Sequence, residues 1–435
     1  MALDVTNHFA DRTYLEQATP NAFARGMEGS AILAIAAHVN RLKAEGRTVS
    51  NFTIGDFNPS VFGIPHELRD AIKTELDAGQ TNYPPAVGIP ELRNAVRGFY
   101  ATELGLQYPP GSVQVGSGAR PPIYAAFRTI LSPGDKLVFP VPTWNIRYYA
   151  YLNGAEAVPV ETQPEHGFMP TAQDLRPHLS TARMVVLNSP LNPCGTVIAE
   201  HLLREICEEI VAENARRREV DEPPLMLLYD QVYWQITFGD YQHHTPIGLV
   251  PEMAQYTILI DAISKCWAAT GLRVGWAVCP PWVRDRMKPL VGHMGAWAGR
   301  AEQKATATLL NEPERVSSFN EQFQADVERR LTTLADGIQA MKAKGLPCDC
   351  LPAQGAIYLS ARFDLHGKTL EGRTIASDED ARILLLEEAG VAVVPFTAFG
   401  YRENTGWVRF SVGAVTDADV HNALTNIEAL LRRLA

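Results

Sequence analysis

Between residues 30 and 46, Ile32, Leu33, Ile35, Ala36, Val39 and Leu42 recur at the spacing of one helical face. Arg41 and Lys43 ahead of Gly46 supply the cations and the stop that suit a helix C-terminus. A run at 49–54 reads as a strand. Short apolar runs then follow at 113–115, 136–139, 157–160, 184–187, 225–229, 257–260 and 274–278, among stretches such as 123–130 and 201–215 with helical period. This alternation predicts an α/β fold, a mostly parallel sheet covered by helices.

A helical pattern over 314–344, stopped by Gly345 and Pro347, bridges into a last region with strands at 357–359, 391–394 and 407–412. Helices begin there at Ser377 and Thr416, each with an acidic residue three positions on, as in a capping box. The expected division is an N-terminal arm over 1–29, which a partner could hold, and a large domain over 68–312. A smaller α/β domain is assembled discontinuously from 30–67 and 313–435.

With 435 residues, 46% hydrophobic and 20% charged, the chain is globular and long enough for more than one core. A net charge of -10 opposes nonspecific nucleic-acid or anionic-membrane binding, which leaves small-molecule chemistry. No basic leader precedes an apolar core and no apolar stretch approaches bilayer length, so a cytoplasmic location is expected. The six cysteines read as reduced thiols, with Cys348-Asp349-Cys350 at a strand edge, and His243-His244 as a solvated loop pair; no metal site is expected.

Strands of an open parallel sheet present their carboxyl ends to a shared crevice, so polar residues directly after apolar runs are the candidates for chemistry. Lys265 follows 257–260 and precedes small residues and Gly271; a desolvated lysine amine attacks carbonyls and forms Schiff bases. Gly116-Ser117-Gly118-Ala119-Arg120 ahead of a helix suits a phosphate. In Asn188 to Thr196 two prolines fix the backbone around two asparagine amides, Asp230 ends its run with Tyr233 three residues on, and Arg273 offers a fork for an anion. Taken singly, each has an ordinary alternative: a solvated lysine, a tight turn, an aspartate capping the next helix. Together they provide an imine-forming amine, a phosphate cradle, a carboxylate for a ring nitrogen, and an amide and a phenol for a ring oxygen. Those are the requirements of pyridoxal 5'-phosphate (PLP).

The sequence here resembles the fold type I, aspartate-aminotransferase-like family of PLP enzymes (class I/II aminotransferases) from about Ser30 onward. Asn188-Ser189-Pro190-Leu191-Asn192-Pro193-Cys194-Gly195 is similar to N-x-P-x-N-P-T-G, Asp230-Gln231-Val232-Tyr233 to D-E-x-Y, Ser264-Lys265 through Arg273 to S-K-x-x-x-x-x-G-x-R, and Arg409-Phe410-Ser411 to R-[FIL]-S. Tyr83-Pro84-Pro85 with Gly88 and Leu92-Arg93 matches a further block.

The resemblance implies a seven-stranded sheet in the large domain and a homodimer. It assigns Lys265 as the covalent anchor and proton carrier, Asp230 to the pyridine nitrogen, Asn192 and Tyr233 to the ring oxygen, and Trp144 to stacking on the ring. Ser117, Gly118, Ala119, Ser264, Arg273 and a neighbouring subunit's Tyr83 would surround the phosphate, and Arg409 with the Gly55 backbone would clamp the substrate α-carboxylate. Amino acids and 2-oxo acids are the implied substrates, with aspartate, glutamate or aromatic donors favoured.

Departures from the pattern are Cys194 for threonine, Ala262 where many relatives carry serine, Arg120-Pro121-Pro122 after the phosphate loop, and the segment at 295–300 ending in Arg300. Arg120 or Arg300 could receive a distal carboxylate. The alternatives are a β-elimination lyase or specialised biosynthetic enzyme on the same fold; a PLP-sensing regulator lacks a spare DNA-binding module.

Overall fold

Seven strands of one sheet take up the apolar runs in the computed structural model, which describes residues 2–9, 20–29 and 31–434. Part of the expected arm, Met1 and 10–19, lies outside the described residues, as do Ser30, the expected start of the first helix, and Ala435. The strands are β1 (Val113–Ser117), β2 (Lys136–Val141), β3 (Glu156–Glu161), β4 (Ala182–Asn188), β5 (Met226–Asp230), β6 (Thr257–Ala262) and β7 (Val274–Val278). Their order is β1-β7-β6-β5-β4-β2-β3, and only β7 runs antiparallel to its neighbours. The near-continuous burial along β4 to β7 is what a sheet covered by helices demands.

Register decides which polar residues meet. Asn188 pairs with Asp230 at the carboxyl ends of β4 and β5, and Asp230 with Ile260 of β6. Because β7 is antiparallel, it begins where β6 ends: Ala262 lies opposite Gly275, and Ser117 opposite Val274. Arg273 therefore returns to the same edge as Lys265 through a short loop rather than a crossover helix.

The helix Ser317–Ala343 leads into a four-stranded antiparallel sheet ordered Val394–Pro395, Trp407–Ser411, Tyr358–Phe363 and Cys348–Cys350. Two expected strands are cut short. Of 49–54 only Ser50–Asn51 is a strand, parallel to Val391–Ala392; the next residue, Phe52, turns its carbonyl to the Ser411 N–H at 2.9 Å. The run 391–394 splits likewise, because Val394–Pro395 pairs instead with Val408 and Arg409. Each run serves two partners, which hydrophobicity alone does not reveal.

The capping box at Thr416 is complete, whereas at Ser377 the Asp380 carboxylate bonds the serine hydroxyl and the Ala376 N–H. Cys348–Cys350 is an edge strand as expected, and all six cysteines are free and buried. His243 corrects the expectation of a solvated pair. Its ring packs near Tyr229 and Trp234, and burial pushes its pKa down to about 3. One continuous apolar core joins both sheets, and among the described residues no helix is long and apolar enough to cross a membrane.

Candidate active site

Lys265 sits on the short helical turn Ile263–Cys266 at the end of β6, and its Nζ donates to the Gly55 carbonyl at 2.7 Å. It keeps some surface toward a cavity yet is deeply surrounded. Burial pushes its amine down to about 8; Arg409 and Arg120 act in the same direction, Asp56 and Asp230 against it. At neutral pH a useful fraction is thus the nucleophilic free base.

Asp230 ends β5 and accepts from the Val232 N–H at 3.2 Å. Burial raises its pKa to about 6, opposed by that bond and by Lys265. A cation placed beside it, such as a protonated ring nitrogen, would restore the charged form.

The Asn188–Gly195 loop is held by its own amides. Asn188 donates to the Asp230 carbonyl at 2.8 Å and accepts from the Asn192 N–H at 2.8 Å. Gly195 has φ 73°, and a Cβ there would lie 1.9 Å from the Tyr358 carbonyl oxygen, so the small and large sheets meet here only through glycine. Asn192 Oδ1 then accepts from Arg409 Nη1 at 3.0 Å. Arg409 is 1% exposed, donates also to the Thr53 carbonyl at 2.6 Å, and leaves Nε unpartnered. No carboxylate among the described residues pairs with it, although a buried guanidinium calls for an anion. A carboxylate entering the cavity would answer that need.

At the opposite end of the site a helix start meets the cavity. Helix Arg120–Ile130 begins with no side-chain cap and no acidic residue in its first turn, and Ala119 and Arg120 line the cavity. Arg273, at φ 56°, donates to the carbonyls of Thr270 at 2.7 Å and Ser117 at 3.1 Å. A Cβ on Gly118 would come within 2.2 Å of its Nη2, so this close approach is open only to glycine. Ser264 borders the cavity, whereas Ser117 and Gly118 are not among its lining residues and meet it only through their contacts with Arg273.

The cavity measures about 970 Å³ and brings together Lys265, Asp230, Asn192, Tyr233, Trp144 and Arg409. Ser264, Arg273 and Gly55 also line it. These donors and the cradle fit PLP: an amine for its aldehyde, a carboxylate for its nitrogen, and a cationic helix start for its phosphate. Another cavity of about 1020 Å³ lies at the opposite edge of the sheet, around Ser112, Tyr256 and Pro280, and contains none of the expected site residues.

Tyr83 is not part of the cavity. It is 81% exposed and meets Trp297 edge-on at 5.4 Å. Arg300 also lies outside, bonded to Gln80 at 2.9 Å, whereas Arg120 enters, its guanidinium 4.6 Å from the Trp144 ring centre. Sequence reasoning missed Asp56, which accepts from Thr270 at 2.5 Å beside Lys265, and Tyr358, whose hydroxyl is 2.7 Å from that of Tyr233. Asp56 directly follows Gly55, which was a signal; Tyr358 lies inside an apolar strand and gave none.

Residues 47–427 match the family model for aminotransferase class I and II. The aspartate aminotransferase of Rhizobium meliloti (strain 1021) is 31% identical over 411 residues, covering 93% of this chain and 94% of that protein. The aspartate/prephenate aminotransferase of Cereibacter sphaeroides is 29% identical over 412 residues, 93% of this chain and 97% of that one. Among solved structures, the aspartate aminotransferase from Rhizobium meliloti superposes with a TM-score of 0.87 at 28% identity, covering 96% of this chain and 99% of that chain. That from Thermus thermophilus with maleate gives 0.83 at 27% identity, covering 94% and 99%.

Proposed function

The chain belongs to the class I and II aminotransferase family, and from that premise we propose that it moves the amino group of aspartate or glutamate to a 2-oxo acid in two half-reactions with PLP as cofactor. The observation that carries this reading is that Lys265 and Arg409 line one cavity. The first group bonds carbonyl carbon and the second holds a carboxylate, the two functions shared by every 2-oxo acid.

When bound, PLP supplies an electron sink conjugated with the substrate Cα. The chain does the rest. Asp230 would hold the proton on the pyridine nitrogen, and Asn192 and Tyr233 would orient the ring oxygen. Trp144 would stack on the ring. Ser117, Gly118, Ala119, Ser264 and Arg273, with the partner subunit's Tyr83, receive the phosphate. Arg409, beside Gly55, would fix the α-carboxylate, so that the amine of Lys265 can take up the Cα proton and later release it.

The large domain (68–312) carries Lys265, and the small one (30–67 and 313–435) carries Gly55 and Arg409, so we place the site at their junction. The exposed Tyr83, packed edge-on against the half-buried Trp297, supports a homodimer, in which residues 1–29 would form the arm; the cytoplasm is the proposed location. Sedimentation of the purified protein as a monomer at working concentration would count against the dimer.

Loading the protein with PLP and adding aspartate or glutamate tests the reaction. The expected products are the 2-oxo acid and pyridoxamine phosphate in equal amounts. Ammonia release with unchanged cofactor would point to elimination instead.

Arg120 supports acidic substrates, because it is a cation at the cavity wall with an aromatic face rather than a carboxylate as its neighbour. Losing one charge-assisted pair costs about 1.5–3 kcal/mol. Arg120→Leu should therefore lower kcat/KM for aspartate by roughly 10- to 100-fold and leave phenylalanine nearly unchanged. Equal losses for both substrates would remove Arg120 from specificity.

A further inference from the structure

Tyr358 begins the strand Tyr358–Phe363, in which Ser360 faces Arg409 across the antiparallel pair and Tyr358 faces Ser411. Tyr358 and Arg409 are thus diagonal neighbours on the sheet, close enough for long side chains to touch. The guanidinium carbon stands 4.7 Å from the Tyr358 ring centre. At its other end, the Tyr358 hydroxyl lies 2.7 Å from the hydroxyl of Tyr233, which follows β5. Tyr358 is fully buried and Tyr233 3% exposed, so bulk water does not compete for either group.

Two hydroxyls at this distance share one proton, and the surroundings decide whose. A Cβ on Gly55 would lie 3.0 Å from the Tyr358 oxygen and 3.6 Å from Arg409 Nη1, so glycine leaves just enough room for both groups. Tyr233 is the one hydrogen-bond partner found for the Tyr358 hydroxyl. Were Tyr358 to accept from Tyr233, its own proton would be a buried donor without an acceptor, which costs more than the bond returns. With Tyr358 as donor both requirements are met, and the Tyr233 proton remains free to point into the cavity.

We propose that Tyr358 is a positioning residue with two functions: its hydroxyl donates to Tyr233 and so directs the Tyr233 proton at the cofactor's ring oxygen, while its ring is the platform beneath Arg409. The arrangement rests on the transaminase reading above. It makes one unit of groups that act on opposite ends of the reactants. Tyr233, just past the large sheet, meets Tyr358 on the small one, Tyr358 supports Arg409, and Arg409 bonds Asn192.

Two variants separate the functions. Tyr358→Phe keeps the platform and removes the donor. A ring oxygen with weaker hydrogen-bond support holds neighbouring protons more tightly, so the pH midpoint of the visible absorbance of the substrate-free, PLP-loaded protein should rise by roughly half a unit. Its kcat should fall roughly fivefold with KM for the amino acid unchanged. Tyr358→Leu removes the platform as well and should raise KM roughly tenfold.

A Tyr358→Phe protein that titrates like the wild type and keeps its kcat within about twofold would overturn the proposal, and so would one in which only KM or the melting temperature moves. Failure of the underlying reading looks different: the wild type itself would show no visible PLP band or no amino transfer.

Discussion

Lys265→Ala is expected to remove the visible band of the PLP-loaded protein and to slow amino transfer by at least ~10⁴-fold, since the variant loses both a covalent anchor and a general acid–base group. Folding should survive, because the lysine sits on a four-residue turn and its one hydrogen bond is to the Gly55 carbonyl. Matching circular dichroism spectra check that point. Small primary amines added to the buffer should recover part of the rate by entering the vacated space. Residual turnover above about 1% of wild type without added amine would displace Lys265 from the mechanism. The lowered pKa gives a second readout. Below about 8 the amine is mostly protonated, so the rate at which cofactor-free protein captures PLP should rise with pH through a midpoint near 8, not near the ordinary 10.5.

Asp230→Asn should produce opposite effects on stability and on turnover. In the cofactor-free protein, burial raises the folded pKa of Asp230 to about 6 from 3.8, so the folded state binds this proton more tightly than the unfolded one. Stability from this group is therefore full below pH 3.8, declines between 3.8 and about 6, and above that carries a constant penalty on the order of 3 kcal/mol. Asparagine is never charged and keeps an oxygen for the Val232 N–H. The empty variant should melt higher than the empty wild type at pH 8, with the gap closing toward pH 4.

Turnover should fall roughly 10³-fold, because an amide cannot hold the ring nitrogen's proton. Equal melting temperatures at pH 8 would mean that Asp230 is better solvated than its surroundings indicate. Near-normal turnover would mean that it does not face the nitrogen.

The placement of Lys265, Asp230 and Asn192 at one edge was legible in the chain because a parallel sheet sends its strands' carboxyl ends there, and polar residues stand out after apolar runs; Arg273 precedes its strand and reaches the same edge because that strand is antiparallel. The partner changes within 49–54 and 391–394 were not legible, since a strand that exchanges one neighbour for another keeps the same hydrophobicity. Tyr358 was hidden for a related reason: Ile357, Tyr358 and Leu359 read as core, and only the diagonal to Arg409 and the approach of Tyr233 give the phenol its place. His243 looked solvated beside another histidine in a polar stretch, yet the rings of Tyr229 and Trp234 enclose it. No local pattern encodes such long-range packing. The same limit applies to Tyr83, which is exposed on this chain and takes a part in the site only in the proposed dimer.

The bond between Arg409 and the Thr53 carbonyl spans 356 residues of chain. At roughly 5–20 residues per second, a ribosome needs tens of seconds to travel from one to the other. Only in the last part of that interval does the nascent chain hold Asp230, Lys265 and Arg273, and the strand bearing Arg409 does not yet exist. During biosynthesis the residues proposed to hold the cofactor therefore precede the one proposed to hold the substrate carboxylate, and any transcript cut short before codon 409 would yield a chain that lacks Arg409.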